Sequence, residues 1–202
     1  KRNPKKVVFA EADNYKILKA AEMAFEESIA IPILLGNKNK INQIIEEYNL
    51  ELSECEIIDP RSDAELKQRE NFAEILHEKR KRRGLTFYES KKMMRERNYY
   101  ASAMVETGMA DVMISGIERN YRDSIRPALQ VIGVENGINK IAGMYILISK
   151  EGPIFFADTT INFNPSVEEI VDITLIVAKT VKQYNIKPKI ALLSYSNFGS
   201  NE

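Results

Sequence analysis

Apolar residues follow two patterns along the chain: short uninterrupted runs, and longer stretches in which they recur at helical spacing. The runs predict strands at residues 7–10, 31–35, 56–58, 112–114 and 189–193. The periodic stretches predict helices at residues 15–27, 41–48, 63–82, 99–107 and 167–184. Strands that alternate with helices in this order indicate a three-layer α/β fold, with a largely parallel sheet and helices on both faces.

Two further runs, at residues 143–149 and 153–157, are joined by Lys150-Glu151-Gly152 and predict a β-hairpin. We expect a hinge here, between a first α/β subdomain at residues 1–150 and the start of a second at residues 151–202. One helix and one strand cannot cover both faces of a parallel sheet. The second subdomain is therefore expected to be incomplete.

Local signals mark where several helices begin and end. Two Ser/Thr residues are followed three positions later by Glu, which is the spacing of a capping box. These pairs are Thr86 with Glu89 and Ser166 with Glu169. The basic run at residues 78–83, which contains Arg80, has two interpretations. It is either a solvated helix end that Gly84 caps, or a binding site for phosphates.

Residues 111–133 combine a predicted buried strand, a polar turn and the start of a helix. Asp123 or Ser124 is expected to cap that helix, with Pro127 in its first turn. Open α/β sheets bind ligands at such strand-to-helix turns, because helix N-termini offer free N–H groups to anions. The polar residues around the turn, among them arginines that suit an anionic ligand, are Ser115, Arg119, Asn120 and Arg126.

Composition narrows the classes of function. The 29 Lys and Arg residues balance 29 Asp and Glu, which gives no indication of a nucleic-acid or membrane partner. Cys55 is the only cysteine and His77 the only histidine, which excludes an internal disulfide and a Cys- or His-rich metal site. With no signal peptide and no long apolar segment, a cytoplasmic location is expected. Both ends of the sequence are expected to be cuts in a longer protein.

Several segments together resemble the phosphate acetyl/butyryltransferase family. Residues 115–116 and 126–130 are similar to its Ser-Gly and Arg-Pro-Ala-Leu-Gln signature. Residues 156–165 resemble its Phe-Ala-Asp to Asn-x-Asn-Pro stretch, and residues 194–200 resemble its Ser-x-Ser-x-x-Gly-Ser loop. The opening at residues 8–13 is similar as well. The resemblance covers nearly the whole chain, and it implies an architecture like that of isocitrate and isopropylmalate dehydrogenases.

One loop resembles a subgroup of the family more closely. Where transferases usually carry His-Ser-Thr after Ser-Gly, this chain has Arg119-Asn120-Tyr121. That loop is similar to the transferase-like C-terminal region of large bacterial NADP-dependent malic enzymes. The resemblance implies an N-terminal part, outside this sequence, that binds NADP and a divalent metal ion and oxidises malate to pyruvate. No Gly-x-Gly-x-x-Gly follows the first strand, so nicotinamide binding by these residues is not supported.

The resemblance also implies acetyl-CoA, CoA or acyl phosphate as ligands. Arg126 would hold a phosphate, Asn162 and Asn164 would position a carbonyl, and the Ser/Gly loops would present backbone N–H groups. The residues expected to bind acyl-CoA or phosphate are Arg80, Ser115, Gly116, Arg119, Asn120, Tyr121, Arg126, Asn162, Asn164, Ser196, Asn197, Gly199 and Ser200. No thiol base is evident among them, and the family places further catalytic residues in a segment beyond residue 202.

Each assignment has a structural alternative. Arg126 can pair with a carboxylate, the two asparagines can shape the turn before Pro165, and the loop at residues 194–200 can cap a helix. Three functions follow. The first is a regulatory domain of a malic enzyme that binds acetyl-CoA and acts on the malate site. The second is an active phosphate acetyl/butyryltransferase, and the third is a module that only assembles a dimer or larger homo-oligomer.

Overall fold

The computed structural model describes residues 3–135, 140–194 and 196. They belong to two compact units, which divide after Gly133. Unit 1 is built on four parallel strands, β1 (Lys5–Phe9), β2 (Ala30–Leu35), β3 (Glu56–Ile58) and β4 (Val112–Ile114). Their order across the sheet is β3-β2-β1-β4. The chain moves outward from β1 to β3 and then returns to the other side of β1, so the strand order reverses between β1 and β4.

Helices cover both faces of this sheet. They are α1 (Tyr15–Glu26), α2 (Lys38–Glu47), α3 (Leu66–Arg80), α4 (Phe87–Met93), α5 (Arg97–Glu106) and α6 (Tyr121–Val131). Phe9 packs with Leu18 of α1 in one core cluster, whereas its neighbour Val8 packs with Phe72 and Tyr100 in the other. Successive strand residues point to opposite faces, so one strand supplies both cores. The predicted parallel sheet with flanking helices is confirmed.

Strand β4 is less buried than its apolar sequence predicts. Val112 is 44% exposed and Ile114 is 43% exposed. The strand lies at the edge of the sheet, where only β1 pairs with it among the described residues. The prediction of a fully buried strand was therefore wrong, because an apolar run does not reveal whether both sides of a strand are paired.

Unit 2 begins at Val134 and contains the predicted hairpin. Its strands are β5 (Met144–Ser149) and β6 (Gly152–Ala157), which pair in antiparallel register. Helix α7 (Val167–Gln183) follows, and the capping box of Ser166 and Glu169 is present at its start. The sequence placed the boundary between subdomains at residue 150, whereas the compact units divide after Gly133. The hairpin thus lies wholly within unit 2.

Two predictions for unit 2 were wrong. Residues 189–193 form no strand, and Leu192 and Leu193 are 73% and 83% exposed. A strand needs a partner for its backbone groups, and within the described part of unit 2 β5 and β6 pair only with each other. The apolar spacing in residues 167–184 predicts that Val171, Leu175, Ala178 and Val181 face inward from α7. Val181 is buried and Ala178 half-buried, but Val171 and Leu175 are exposed.

No helix in the described ranges is both long enough and apolar enough to span a bilayer. The same ranges contain no group of three or more His, Cys, Asp or Glu side chains that could hold a metal ion.

Candidate functional site

The loops that follow β1 and β4 are joined at the carboxyl edge of the sheet, where the strand order reverses. The Ala10 N–H donates to the Ile114 carbonyl at 3.0 Å. Glu11, only 1% exposed, continues this connection with its carboxylate. Its Oε2 accepts the Gly116 N–H at 3.0 Å and the Ile117 N–H at 2.8 Å. In open α/β sheets such a reversal point opens a crevice in which ligands bind.

A second contact, with the start of α5, also holds the Ser115-Gly116 turn. The Ser115 hydroxyl donates to Oδ1 of Asn98, a fully buried residue in the first turn of α5. Gly116 has a φ of +119°, a backbone conformation that favours glycine. Glu11 Oε1 and Asn98 Nδ2 are buried and have no hydrogen-bond partner in the described part of the chain. Most buried polar atoms in proteins have a hydrogen-bond partner, so Glu11 Oε1 can still accept a hydrogen bond and Asn98 Nδ2 can still donate one.

Arg119, expected to bind an anion, is paired with a carboxylate. Its Nη2 lies 2.7 Å from Oε1 of Glu96. The contact is an ion pair without the alignment of a directed hydrogen bond. The other oxygen of Glu96 accepts the N–H groups of Asn98 and Tyr99 at 3.1 and 3.3 Å and so caps α5. Glu96 thereby connects the Arg119 loop to the start of α5, and part of the Arg119 charge is neutralised.

Asn120 is the N-cap of α6. Its Oδ1 accepts the Asp123 N–H at 3.0 Å, and its Nδ2 donates to Asp123 Oδ2 at 2.8 Å. The prediction that Asp123 or Ser124 caps this helix was wrong, because Asn120 is an equally suitable cap three residues earlier and has the extended backbone of an N-cap. The helix starts at Tyr121, so Pro127 lies in its second turn rather than its first.

Arg126 is an exposed cation with no carboxylate within 4 Å among the residues that the structure describes. The alternative of pairing with a structural carboxylate therefore finds no support in this part of the chain. Burial raises the pKa of the Tyr99 hydroxyl, and the nearby charge of Arg126 partly opposes that shift. The Tyr99 hydroxyl donates to Gln130 Oε1 at 2.6 Å, which ties α5 to the helix that carries Arg126.

An open groove of about 640 Å³ runs beside β4 and α6. Four of the predicted ligand-binding residues line it, namely Ser115, Gly116, Arg119 and Tyr121. The remaining wall is largely apolar and includes Val112 and Ile125. A groove with a largely apolar wall and a few polar groups suits a ligand that has both a polar and an apolar portion.

Arg80 lies at the opposite end of α6. Its Nη2 and Nε donate to the carbonyls of Leu129 and Gln130 at 2.9 and 3.2 Å. Lys79 donates to the carbonyl of Val131 at 2.7 Å. These two cations satisfy the last carbonyls of α6, and burial lowers the pKa of the Arg80 guanidinium. Arg80 thus stabilises the end of a neighbouring helix rather than only the end of its own, and its role toward a phosphate remains a prediction.

In unit 2, Asn162 is held by Asp158. The Asn162 Nδ2 donates to Asp158 Oδ2 at 2.6 Å and to the Ile141 carbonyl at 2.8 Å. Asp158 Oδ1 accepts the Gly143 N–H at 2.7 Å. Burial favours the neutral acid, but the hydrogen bonds from Asn162 and Gly143 outweigh it and lower the pKa of Asp158. Asn162 therefore shapes the loop after β6.

The other predicted ligand-binding residues of unit 2 that the structure describes make fewer hydrogen bonds than Asn162. Asn164 is exposed and has a φ of +51°, which asparagine tolerates better than most residues. The Ser196 N–H donates to the Ser194 hydroxyl at 3.1 Å. Asn197, Gly199 and Ser200 lie outside the described residues.

Sequence reasoning did not identify Glu11, Glu96 and Asn98 as parts of the site. Glu11 follows the first predicted strand, and the rule that the carboxyl ends of parallel strands meet at one edge could have indicated it. Glu96 and Asn98 belong to a helix start whose position relative to β4 depends on the packing of α5. That packing has no local signature in the sequence.

The chain matches a family model described as phosphate acetyl/butaryl transferase over residues 1–202. It is 34% identical to a phosphate acetyltransferase from Clostridium acetobutylicum, with 99% of this chain and 61% of that protein covered. A phosphate acetyltransferase from Helicobacter pylori is 37% identical, with 99% and 38% covered. An NADP-dependent malic enzyme from Escherichia coli is 32% identical, with 100% and 27% covered. The chain thus spans less than two thirds of each of these relatives.

Solved structures are similar over almost the whole chain. A phosphotransacetylase from Streptococcus pyogenes superposes with a TM-score of 0.84 at 32% identity, covering 98% of this chain and 60% of that one. A phosphotransacetylase from Staphylococcus aureus gives a TM-score of 0.82 at 28% identity, covering 98% and 59%.

Replacing Glu11 with alanine leaves the Gly116 and Ile117 N–H groups without their acceptor. We expect Glu11→Ala to lower the free energy of unfolding by about 2–4 kcal/mol, because each unmatched donor costs about 1–3 kcal/mol. Glu11→Gln, which keeps an acceptor oxygen, should cost clearly less. Urea unfolding measures both, with Glu46→Ala on the exposed face of α2 as a control expected to stay within about 0.5 kcal/mol. Equal stability of Glu11→Ala and the control would show that the Glu11 carboxylate does not stabilise the loop after β4.

The lowered pKa of Asp158 makes its contribution to stability depend on pH. The folded pKa lies below the unfolded value of about 3.9, so the contribution is complete above that value and is lost as the pH falls through the folded pKa. We expect Asp158→Asn to lower the melting temperature at pH 7 and the difference from wild type to shrink below about pH 4. Circular dichroism melts between pH 7 and 3 test this. A difference that is constant or grows on acidification would refute it.

Proposed function

This chain belongs to the phosphate acetyl/butyryltransferase family, and from that premise we propose that the protein containing it transfers an acyl group between acyl phosphate and coenzyme A. In that reaction the CoA thiolate attacks the acyl carbonyl, the new C–S bond forms and the bond from the carbonyl carbon to the phosphate oxygen breaks. The site must hold the phosphate and stabilise the charge that develops on the carbonyl oxygen. Among the described residues, groups that can hold the phosphate are more evident than groups that can stabilise the charge on the carbonyl oxygen.

The placement of the family signature at the reversal point of the sheet is the observation that carries this proposal. Ser115-Gly116 follow β4 at that point, and the signature arginine, Arg126, stands on the helix that starts there. Arg126 is exposed and free of carboxylates in the described ranges, so its planar guanidinium can bind a phosphate through two parallel hydrogen bonds.

The Gly116 N–H has a different role from the one expected of it. It is bonded to Glu11 and is not directed toward a ligand. We assign Glu11 and Gly116 to positioning the turn, and Arg126 to contact with the phosphate. His77 packs edge-on against Phe87, and its Nδ1 lies 3.0 Å from the Leu85 carbonyl, which favours a structural role over that of thiol base.

A regulatory acetyl-CoA domain of a malic enzyme was the first expectation from the sequence and is now the second candidate. The match to malic enzymes at 31–32% identity over the whole chain favours it, but the phosphate acetyltransferases reach 34–37%. The transferase proposal is therefore the better supported. If the protein regulates malate oxidation, saturating acetyl-CoA must change that rate in the full-length protein. NADP and metal binding outside this sequence, a homo-oligomer, a cytoplasmic location and the dehydrogenase-like architecture remain predictions.

The transferase proposal predicts a specific defect for Arg126→Ala in the full-length protein. Loss of a charged phosphate contact of about 1.5–3 kcal/mol lowers kcat/KM for acetyl phosphate by roughly 10- to 100-fold. Acyl-CoA formation from acetyl phosphate and butyryl phosphate measures the effect. Lys5→Ala, which removes an exposed cation at the start of β1 and at the opposite edge of the sheet, should leave kcat/KM unchanged. No turnover by the wild-type protein, or equal activity of both variants, would contradict the proposal.

A further inference from the structure

A second, smaller groove lies at the carboxyl edge of unit 1. Its volume is about 300 Å³, and its lining residues are Arg61, Lys92, Arg95 and Glu96. Arg61 stands in the loop after β3, Lys92 is in α4, and Arg95 is in the segment that connects α4 to α5. Three different parts of the chain thus bring one cation each to the same groove.

These three cations differ from their neighbours in having no carboxylate partner. Arg61, Lys92 and Arg95 are exposed, and none lies within 4 Å of a carboxylate in the described part of unit 1. By contrast, the adjacent residues Lys91 and Arg97 are paired, with Glu70 and Asp13 respectively. The neighbouring cations are thus ion-paired, whereas the three that line the groove are not.

The one acidic residue of the groove does not balance this charge. Oε1 of Glu96 is paired with Arg119, and Oε2 accepts the N–H groups at the start of α5. The carboxylate of Asp59 lies near Arg61, but its Oδ1 accepts the Arg61 backbone N–H and is not ion-paired with the guanidinium. With Glu96 balanced by Arg119 and one further carboxylate, Asp59, nearby, the three cations leave an excess of about two positive charges. Like charges brought together in this way repel unless an anion joins them.

We propose that this groove binds a multiply charged phosphate group, such as a diphosphate or a phosphomonoester. Two guanidinium forks and one ammonium group are the donors that phosphate oxygens prefer, and an open groove lets the anion enter with little displacement of the protein. The site is separate from Arg126, which does not line it. Charge and geometry alone define this site, and phosphate binding there does not require acyl transfer.

Inorganic pyrophosphate is the probe that tests the proposal. It is titrated calorimetrically into the wild-type protein and into the triple variant Arg61→Ala/Lys92→Ala/Arg95→Ala. Loss of three charged donors should raise the Kd by about tenfold or more. The matched control is Lys5→Ala/Lys150→Ala/Lys182→Ala, which also removes three exposed cations. Lys5 opens β1, at the amino edge of the sheet, and the other two residues belong to unit 2, so none lies in this groove.

The control variant should bind pyrophosphate as the wild type does, and rising salt should weaken binding to the wild type more steeply than to the groove variant. Matching melting temperatures of the two variants exclude unfolding as the cause, since all six side chains are exposed. No binding by the wild type, or equal loss in both variants, overturns the proposal.

Competition identifies the source of the phosphate once binding is established. If CoA displaces pyrophosphate and dephospho-CoA does so less well, the groove binds the phosphomonoester of a CoA molecule. If neither displaces it, the groove binds a free oxyanion. Both results support a phosphate site, and neither depends on the activity assay, so failure of the transferase proposal and failure of this one can be told apart.

Discussion

A single buried carboxylate, that of Glu11, joins the ends of the two strands between which the strand order reverses. It accepts the N–H groups of Gly116 and Ile117 and so determines where the loop after β4 runs. Two strands that reverse the order of an open sheet leave a crevice at their carboxyl ends. In this chain the crevice keeps its shape because a side chain from one loop satisfies the backbone of the other.

The cations of unit 1 fall into two groups: those that stabilise the fold and those that remain free to bind a ligand. Arg80 satisfies the carbonyls at the end of α6, and Arg119 is paired with Glu96. Arg126, Arg61 and Arg95 are exposed, and no carboxylate lies within 4 Å of them in the described ranges. Since all of these residues are arginines in polar stretches, only the structure separates the two classes. Arg61 and Arg95 line a groove at the carboxyl edge of the sheet, and Arg126 stands on the helix that starts at that edge.

Much of the fold followed from local patterns. The strands at residues 56–58 and 112–114, the hairpin and both capping boxes are where the sequence placed them. Each of these depends on neighbouring residues, namely a bounded apolar run, a short polar turn or a Ser/Thr with Glu three positions later. The strand expected at residues 189–193 is absent because an apolar run forms a strand only where a partner strand pairs with it.

The site was predictable in part. The strand-to-helix turn after β4 lies where the sequence predicted it, because such turns have a local signature, and ligand binding there stays a prediction. The contribution of Glu11 was not predictable, because its carboxylate binds the N–H of a residue more than 100 positions further along the chain. Asn120 and Asn162 were expected to contact a ligand, yet the observed bonds of both side chains hold their own loops. Sequence alone does not distinguish an asparagine that binds a ligand from one that shapes a turn.

Amide hydrogen exchange at Gly116 and Ile117 tests the central role of Glu11 most directly. If the carboxylate fixes this turn, both amides exchange slowly in the wild-type protein and lose their protection in Glu11→Ala. Amides in the core strands, such as that of Val8, should keep theirs in the same variant. Fast exchange at Gly116 and Ile117 in the wild type, or protection that survives the substitution, would show that the two loops are held together by something other than Glu11.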